Sequence, residues 1–372
     1  MNSLLQFTAS FGHILQKQLF PSLQEEIGPL GERHQQFVRN LALLGLEGFV
    51  AVHHGRGRPP LDRAAIARAF LAKAVFNLAT TRALLDRLAC DPALRRLCGW
   101  ETAAAVPGED DFSRAFAEFA RTEFAQQVHA AVIQRAFSQR PVGHVARDSS
   151  AIEAREKPVA KPKPAAPAAR RLHRKAGAAK KPEQMTRLDR QCSGSLSLAE
   201  MLAELPRACD VGCKKNSKGR KGFWIGYKLH LDVADGQIPI SCLLSSASLN
   251  DTQAAVPLAT LTARRVTSFY DLMDSGYDCE AIRQHSVGLG HVPIIAPRKR
   301  GSHKRELAPH QKMRLQERNA VERVFGRLKD EFGGATVRVR GWAKVMAHLM
   351  FGILALTADQ LLRLFPATTA ET

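Results

Sequence analysis

A pair of β-strands joined by a tight turn constrains the fold of this chain more than any other sequence feature. Apolar and polar residues alternate over residues 227–233, which is the pattern of a strand with two different faces. Asp235-Gly236 is a favoured hairpin turn, and the apolar run 238–244 supplies the returning strand. The sequence therefore predicts an antiparallel hairpin within a sheet. Its alternation favours a position for Asp232 on the solvent face, and the alternative is a place beside a metal ion.

Strand and helix patterns alternate on both sides of this hairpin. The apolar stretch 142–146 predicts an earlier strand, and residues 266–273 and 291–295 predict two later ones. Helical patterns lie between and after these strands, from Asp251 to Arg264, from about Asp278, and twice near the end of the chain. This order predicts the α/β class, with a mixed sheet flanked by helices.

Residues 1–140 have the apolar spacing of amphipathic helices. Apolar side chains recur at helical intervals over residues 66–88 and again over 112–119. We therefore expect an all-α N-terminal domain ahead of the sheet. Short helices around Gly55–Pro60 are compatible with a helix-turn-helix-like DNA-binding module, and equally with an ordinary helical bundle.

Charge is the property that most restricts the class of partner. The chain of 372 residues has a formal net charge of +19 and a sequence pI of about 10.1, with 45% apolar residues that suffice for a sizeable core. Such an excess of cations favours a polyanionic partner, and nucleic acid is the first candidate. A protein that is merely basic, or one that binds an acidic membrane, is the alternative.

Almost half of the excess charge lies in one segment. Residues 155–190 contain twelve Lys or Arg, three Asp or Glu and five Pro, a composition that cannot bury a core. We expect a flexible basic insert over residues 155–215, acting either as a DNA-binding arm or as a solvated linker. The cations that flank it or follow it and are candidate DNA contacts are Lys214, Lys215, Lys218, Arg220, Lys221, Arg298, Lys299 and Arg300.

Three other features bear on location and metal content. Cys209 and Cys213 have a C-x3-C spacing, but no second pair follows at the distance of a zinc finger, so no zinc site is expected. The first residues lack the pattern of a signal peptide. The most apolar stretch, Leu349–Leu356, is too short to span a membrane. We therefore expect a cytoplasmic protein with reduced thiols and no membrane partner.

One run near the end of the chain carries the clearest candidate chemistry. On a helix, at about 100° per residue, Arg318, Glu322 and Lys329 lie within about 40° of one another around the axis. Apolar residues from Val321 to Phe332 form an adjacent stripe, so the helix buries one face and presents a carboxylate between two cations. This arrangement suits a metal ion held near a phosphodiester; surface ion pairs on an ordinary amphipathic helix are the alternative.

Two further carboxylates follow predicted strands. Asp274 comes directly after one strand, and Asp148 follows the first, although Glu153 and Glu156 are close alternatives to Asp148. If two strand ends and one helix meet, these acids join Glu322, and three carboxylates can bind two divalent ions about 3.5–4 Å apart. Hard oxygen ligands favour Mg²⁺, with Mn²⁺ as a substitute.

These residues resemble a known signature. Arg318, Glu322 and Lys329 have the spacing Arg-x3-Glu-x6-Lys of the DDE transposases of bacterial insertion sequences, whose signature adds a tyrosine where this chain has Leu315. That departure removes one hydroxyl that can touch a phosphate. Other similar segments are Asp274–Asp278, Asn250–Gln253, Gly222–His230, Gly57–Pro60 and Pro107–Phe116. The resemblance implies a ribonuclease H-like (retroviral integrase-like) catalytic domain.

The resemblance also implies roles. Asp148, Asp274 and Glu322 are implied as metal ligands for two Mg²⁺ or Mn²⁺ ions, while Lys329 and Arg318 contact phosphates or stabilise developing charge. Double-stranded DNA, both the element ends and the target, is the implied substrate. A homodimer that pairs two ends in the bacterial cytoplasm, associated with the nucleoid, is implied as well.

The expected organisation is a helical domain over residues 1–140, a catalytic domain over 141–366 that contains the insert 155–215, and a tail over 367–372. The expected function is binding of the terminal inverted repeats, followed by metal-dependent DNA strand cleavage and strand transfer. Two alternatives are a transposase-derived DNA-binding protein that does not cut, and a ribonuclease H-like nuclease without strand transfer. Reaction products separate these functions, since only a transposase joins strands.

Overall fold

A computed structural model of the chain describes residues 30–50, 61–160, 185–215, 220–297 and 306–365. The described N-terminal part is helical, as the apolar spacing predicts, and Gly55–Pro60, the segment of the possible DNA-binding module, lies outside the described residues. Its helices are α1 (Glu32–Leu44), α2 (Arg63–Val75), α3 (Thr81–Cys90), α4 (Pro92–Cys98), α5 (Glu109–Arg121) and α6 (Phe124–Phe137).

Local signals set the starts of these helices. The carboxylate of Asp62 accepts hydrogen bonds from the backbone N–H groups of Ala64 and Ala65 at the start of α2. The Thr80 hydroxyl accepts a hydrogen bond from the N–H of Ala83 at the start of α3, and the Asp91 carboxylate accepts one from the N–H of Leu94 at the start of α4. Each cap satisfies N–H groups that have no partner within the helix, which fixes where the helix begins.

The rest of the chain forms a mixed α/β unit. The strands are β1 (Val142–Glu153), β2 (Asp210–Lys215), β3 (Lys221–Ala234), β4 (Ile238–Ser246), β5 (Ser268–Met273) and β6 (Val292–Ile295). The helices are α7 (Arg187–Cys192), α8 (Leu198–Ala203), α9 (Thr252–Ala263), α10 (Glu280–Gly288), α11 (Pro309–Leu315), α12 (Asn319–Asp330) and α13 (Trp342–Leu364), with 3-10 turns at Ser275–Tyr277 and Gln316–Arg318. The predicted hairpin is present as β3 and β4.

All six described strands belong to one sheet. β1 lies between β3, to which it is antiparallel, and β5, to which it is parallel, and β6 extends the parallel side. β4 pairs with the second half of β3, and β2 pairs with the first half. This mixed sheet flanked by helices confirms the predicted α/β class and is consistent with a ribonuclease H-like domain.

Helices cover both faces of the sheet. Ser150 of β1 contacts Lys329 of α12, whereas Arg147 of β1 pairs with Asp232, which contacts Thr262 of α9. Because residues an odd number apart on a strand point to opposite faces, α12 and α9 lie on opposite sides of the sheet. Asp232 is therefore buried, with no exposed surface, and the prediction that it faces solvent is wrong.

The last helix joins the N-terminal helices to the sheet. α13 packs against α1, α2, α5 and α6, and it also contacts β4. At its centre Phe351 lies 5.7 Å from Phe70 of α2 between ring centroids, and both side chains belong to one apolar core that continues into the sheet. This helix is apolar and long enough to cross a membrane, but 89% of its most apolar window is buried inside the fold, as in the core helix of a globular protein.

Part of the expected basic insert is regular. Residues 161–184 lie outside the described part of the chain, whereas α7, α8 and β2 follow within 185–215. Thr186 and Ser197 each form a capping box, with Asp189 and Glu200, which starts the two short helices. These capping boxes were not recognised in the sequence, because the basic composition of the segment predicted a flexible chain.

Candidate active site

Two of the candidate carboxylates, Asp148 and Asp274, lie where β1 and β5 run in parallel. Arg147 of β1 is the register partner of Met273, the last residue of β5, so Asp148 on β1 and Asp274 just after β5 each directly follow a paired residue. Neighbouring strands lie about 4.8 Å apart. β1 continues through Asp148 to Glu153, although the apolar stretch predicted a strand that ends near Asp148. β5 does end before Asp274, whose side chain accepts a hydrogen bond from the N–H of Gly276 at 2.9 Å.

Asp148 has a largely buried, electrostatically mixed environment. Burial raises the pKa of its carboxyl to about 6, and the neighbouring charge of Asp274 also raises it. A hydrogen bond from the backbone N–H of Ser149, at 2.7 Å, and the cations Arg318 and Lys214 lower that pKa. A carboxylate that is poorly solvated and close to a second carboxylate favours a nearby cation.

Arg318 joins the strand carboxylate to the helix carboxylate. Its guanidinium donates to Asp148 at 3.1 Å through Nη1 and to Glu322 at 2.7 Å through Nη2. Arg318 ends the 3-10 turn before α12, and Glu322 lies one turn later, which explains why both side chains meet at the same point. The structure therefore brings Asp148, Arg318 and Glu322 together.

Lys329 lies further along the same helix face. Its ammonium donates a hydrogen bond of 2.7 Å to Ser150, which is two residues after Asp148 and therefore on the same face of β1. Burial lowers the pKa of Lys329, the nearby Lys214 lowers it further, and Glu153 opposes this effect. The contact between Lys329 and Ser150 was not predicted. The alternation of side chains along β1 was a usable signal, because it places Ser150 on the same face as Asp148.

The donor set suits a hard divalent cation. Oxygen ligands from Asp148, Asp274 and Glu322 are the type that Mg²⁺ and Mn²⁺ prefer. Among the described residues no three acidic, His or Cys side chains are grouped closely enough to hold a metal ion, and Arg318 lies between Asp148 and Glu322. The Glu322 side chain is 55% exposed, so it is free to change rotamer once the guanidinium moves. By donor chemistry the residues fit the metal.

A buried ion pair supports the site from behind. Arg147 donates to both carboxylate oxygens of Asp232, at 2.8 and 2.7 Å, and both side chains are almost fully buried. Thr262 donates to the same carboxylate at 2.7 Å. Because Arg147 precedes Asp148 directly, this pair fixes the strand that carries the first candidate ligand.

Tyr277 was not identified from the sequence. It is buried in the turn after Asp274, and its hydroxyl has no hydrogen-bond partner among the described residues. Burial raises the pKa of Tyr277 well above its usual value, and the charges of Asp251, Asp148 and Asp274 raise it further. A neutral phenol therefore lies close to the two strand carboxylates.

The predicted DNA contacts are only partly described. Lys214 on β2 is exposed and close enough to Asp148 and Lys329 to affect the pKa of each. Arg220 and Lys221, at the start of β3, are also exposed. Lys215 is the last residue of β2, where it pairs with Lys221. The remaining candidates lie outside the described residues: Lys218, Arg298, Lys299 and Arg300.

Comparison with known proteins gives two matches to family models, which together cover more than half of the chain. The family described as "Transposase DDE domain" matches residues 204–358, a range that includes Asp274, Arg318, Glu322 and Lys329. The family described as "Transposase domain (DUF772)" matches residues 31–118. No curated protein and no solved structure matches the chain. Asp148 lies outside both matched ranges, so its assignment depends on the geometry of β1.

Proposed function

This chain belongs to the DDE transposases of insertion sequences, and on that premise we propose that it binds the terminal inverted repeats of its element, cuts a DNA strand there and joins it to target DNA. The supporting observation is that Asp148 and Asp274 directly follow the paired residues Arg147 and Met273 of β1 and β5, with Glu322 linked to Asp148 through Arg318. Carboxylate ligands for divalent ions, with cations beside them that can contact phosphate, suit two-metal phosphodiester chemistry.

In this proposal Asp148, Asp274 and Glu322 hold the metal. Two Mg²⁺ or Mn²⁺ ions, when bound, promote loss of a proton from the attacking water or 3′-hydroxyl and stabilise the leaving oxygen. The chain itself orients the ligands. β1 and β5 fix the two aspartates, and Arg318 neutralises Asp148 and Glu322 until it is released to contact a phosphate.

The cations beside the carboxylates bind the DNA backbone. Lys329 is positioned by Ser150, and Lys214 approaches from the strand pair β2–β3, so both ammonium groups lie beside the reacting phosphate. Arg220 and Lys221 extend this basic edge away from the site. The other candidate contacts, together with the helical domain over residues 1–140, bind the rest of the element end in this proposal.

Assembly and location complete the proposal. Two element ends must be brought together for joining, so we infer a homodimer that acts in the cytoplasm near the nucleoid. Light scattering of the protein with and without end DNA measures the assembly. A mass equal to a single chain bound to a single DNA end, at every protein concentration, contradicts the dimer.

Strand-transfer products test the function directly. Purified protein is incubated with labelled element-end DNA and a target plasmid, in Mg²⁺, in Mn²⁺ or in EDTA. The expected result is joined product in either metal and none in EDTA. Glu322→Gln is expected to abolish joining while still binding DNA, because the substitution keeps the size of the side chain and removes its charge.

Glu317→Gln is the matched control, since Glu317 is an exposed acid in the turn before α12, outside the candidate site. It is expected to join strands as the wild type does. Binding without cleavage in either metal indicates a DNA-binding protein derived from a transposase. Cleavage without joined product indicates a nuclease.

A further inference from the structure

A cavity of about 380 Å³ lies between the N-terminal helices and the end of the catalytic domain. Its walls come from α2, α3 and α5 on one side, and from Arg155, residues 332–340 and α13 on the other. A volume of this size falls within the range of small-molecule sites. None of its lining residues belongs to the candidate active site.

One part of the cavity wall is aromatic. Phe70, Phe116, Phe332 and Phe351 line it, and all four side chains are buried. The ring centroids of Phe70 and Phe116 are 4.8 Å apart, and those of Phe116 and Phe351 are 6.3 Å apart. The rings pack mainly against one another, with 1–7% of each residue exposed, and they make this side of the cavity apolar, so an edge or part of a face of a flat aromatic ligand can pack there.

The rest of the lining carries an excess of positive charge. Its cations are Lys73, Arg155, Arg338, Arg340 and Lys344. Within the described part of the chain one acidic residue lines the cavity, Glu109, and it forms an ion pair with Arg82 at 3.2 Å. Burial lowers the pKa of His348, which also lines the cavity, to about 3, so this histidine is neutral. Among the described residues, the cavity lining therefore carries five cations and one carboxylate, which is already paired with Arg82.

Lys73 is the most informative of these cations. Its side chain lines the cavity and the residue is only 9% exposed, yet within the described part of the chain its ammonium has no hydrogen-bond or ion-pair partner. Burial lowers its pKa to about 8, so it is still mostly charged at pH 7. A buried charge without a partner is costly, and such groups are normally paired. An anionic ligand supplies the absent partner.

We propose that this cavity binds one nucleotide, with its phosphate on Lys73 and the surrounding arginines and its base against the phenylalanine wall. Both halves of the ligand are needed, since a phosphate alone leaves the aromatic wall unused and a base alone leaves Lys73 unpaired. The nucleotide is either free in solution or the unpaired terminal unit of a DNA strand. Binding requires no strand cleavage, so the proposal does not depend on the function proposed above.

Calorimetric titration of the full-length protein tests the site. The probes are deoxyadenosine 5′-monophosphate, deoxyadenosine without phosphate, inorganic phosphate, and short duplexes that are blunt or carry one unpaired 5′-phosphorylated nucleotide. Binding of the monophosphate, stronger than that of either half alone, supports a free nucleotide. Preference for the duplex with the unpaired nucleotide, without binding of the monophosphate, supports a strand end. Either result supports the proposal. If neither is observed, the proposal is overturned.

Three variants assign the binding to the cavity. Lys73→Met and Arg338→Gln are expected to weaken nucleotide binding by about tenfold or more, since each removes a charged hydrogen-bond donor. Arg338 is exposed on the rim, so its replacement cannot disturb the core. Lys312→Met, a change at an exposed lysine of α11, is the matched control and is expected to bind as the wild type does. Unchanged affinity in both cavity variants refutes the site.

Glu322→Gln separates this proposal from the proposed function. The variant is expected to bind the nucleotide as the wild type does, because Glu322 does not line the cavity. Nucleotide binding in a protein that never joins strands supports the cavity alone. Strand joining in a protein that binds no nucleotide, free or at a strand end, supports the transposase function alone and removes the cavity proposal.

Discussion

Replacing Lys73 with methionine is expected to stabilise the folded protein at neutral pH. Methionine has similar length and carries no charge, so it fills the same buried position without a desolvated ammonium. Burial lowers the pKa of Lys73 from 10.5 to about 8. At about 1.4 kcal/mol per pKa unit, the charged form costs about 3–4 kcal/mol of folding free energy at pH 7.

The direction of the pH dependence follows from the same shift. Below pH 8 the Lys73 ammonium is charged in both the folded and the unfolded chain, so the folded protein carries the full free-energy cost of burying the charge. Between pH 8 and 10.5 the unfolded chain binds more protons than the folded chain, so the stability of the wild type rises with pH. The charged groups that share the cavity with Lys73 are Glu109, Arg155, Arg338, Arg340 and Lys344, with His348 neutral.

Thermal unfolding of the wild type and the variant from pH 7 to pH 10 measures this difference. We expect Lys73→Met to have the higher midpoint at pH 7, and we expect its advantage to shrink as the pH rises above 8. Lys312→Met, which changes an exposed lysine, is expected to show neither effect. A Lys73→Met protein that is less stable than the wild type at pH 7, or an advantage that is constant with pH, contradicts the reasoning.

Three further substitutions test the catalytic unit. Asp232→Ala leaves the buried guanidinium of Arg147 without its partner and is expected to lower the free energy of unfolding by about 3–5 kcal/mol, measured by urea denaturation. Gly226→Ala places a Cβ against the carbonyl oxygen of Ile152 at a backbone φ of +151°, so it is expected to distort the β1–β3 pairing and weaken binding of end DNA in a gel-shift assay. Arg318→Gln removes the guanidinium that bridges Asp148 and Glu322, so the variant protein is expected to bind Mn²⁺ several-fold more tightly in a paramagnetic resonance titration. The same variant is expected to lose strand joining. An unchanged affinity for Mn²⁺ refutes the idea that the guanidinium competes with the metal for these carboxylates.

Local patterns predicted the parts of the site that depend on neighbouring residues. The helix that carries Glu322 was predicted because its apolar stripe and its charged edge both occur within one short segment of the sequence. The position of Asp274 was predicted because an apolar strand stops directly before it. Both depend on interactions between residues only a few positions apart.

Asp148 required information that the sequence does not hold locally. Glu153 and Glu156 were close alternatives in the chain. The register between β1 and β5, which pairs Arg147 with Met273 just before the two aspartates, joins segments more than a hundred residues apart. Asp232 was misplaced for the same reason. The alternation of its strand shows two faces, but only the packing of α9 shows that the second face is buried as well.

The position of α13 has a consequence for the order in which the chain becomes folded during synthesis. Helices α1 to α6 are complete by residue 137, whereas the helix that fills their core ends at residue 364. At about 5–20 residues per second, a ribosome needs roughly 10–45 s to make the intervening chain. Throughout that interval Phe70 and Phe116 have no Phe351 to pack against. The N-terminal helices thus acquire their finished form only after the segment up to residue 364 has been translated, and chaperones that shield exposed apolar surface have that time in which to act.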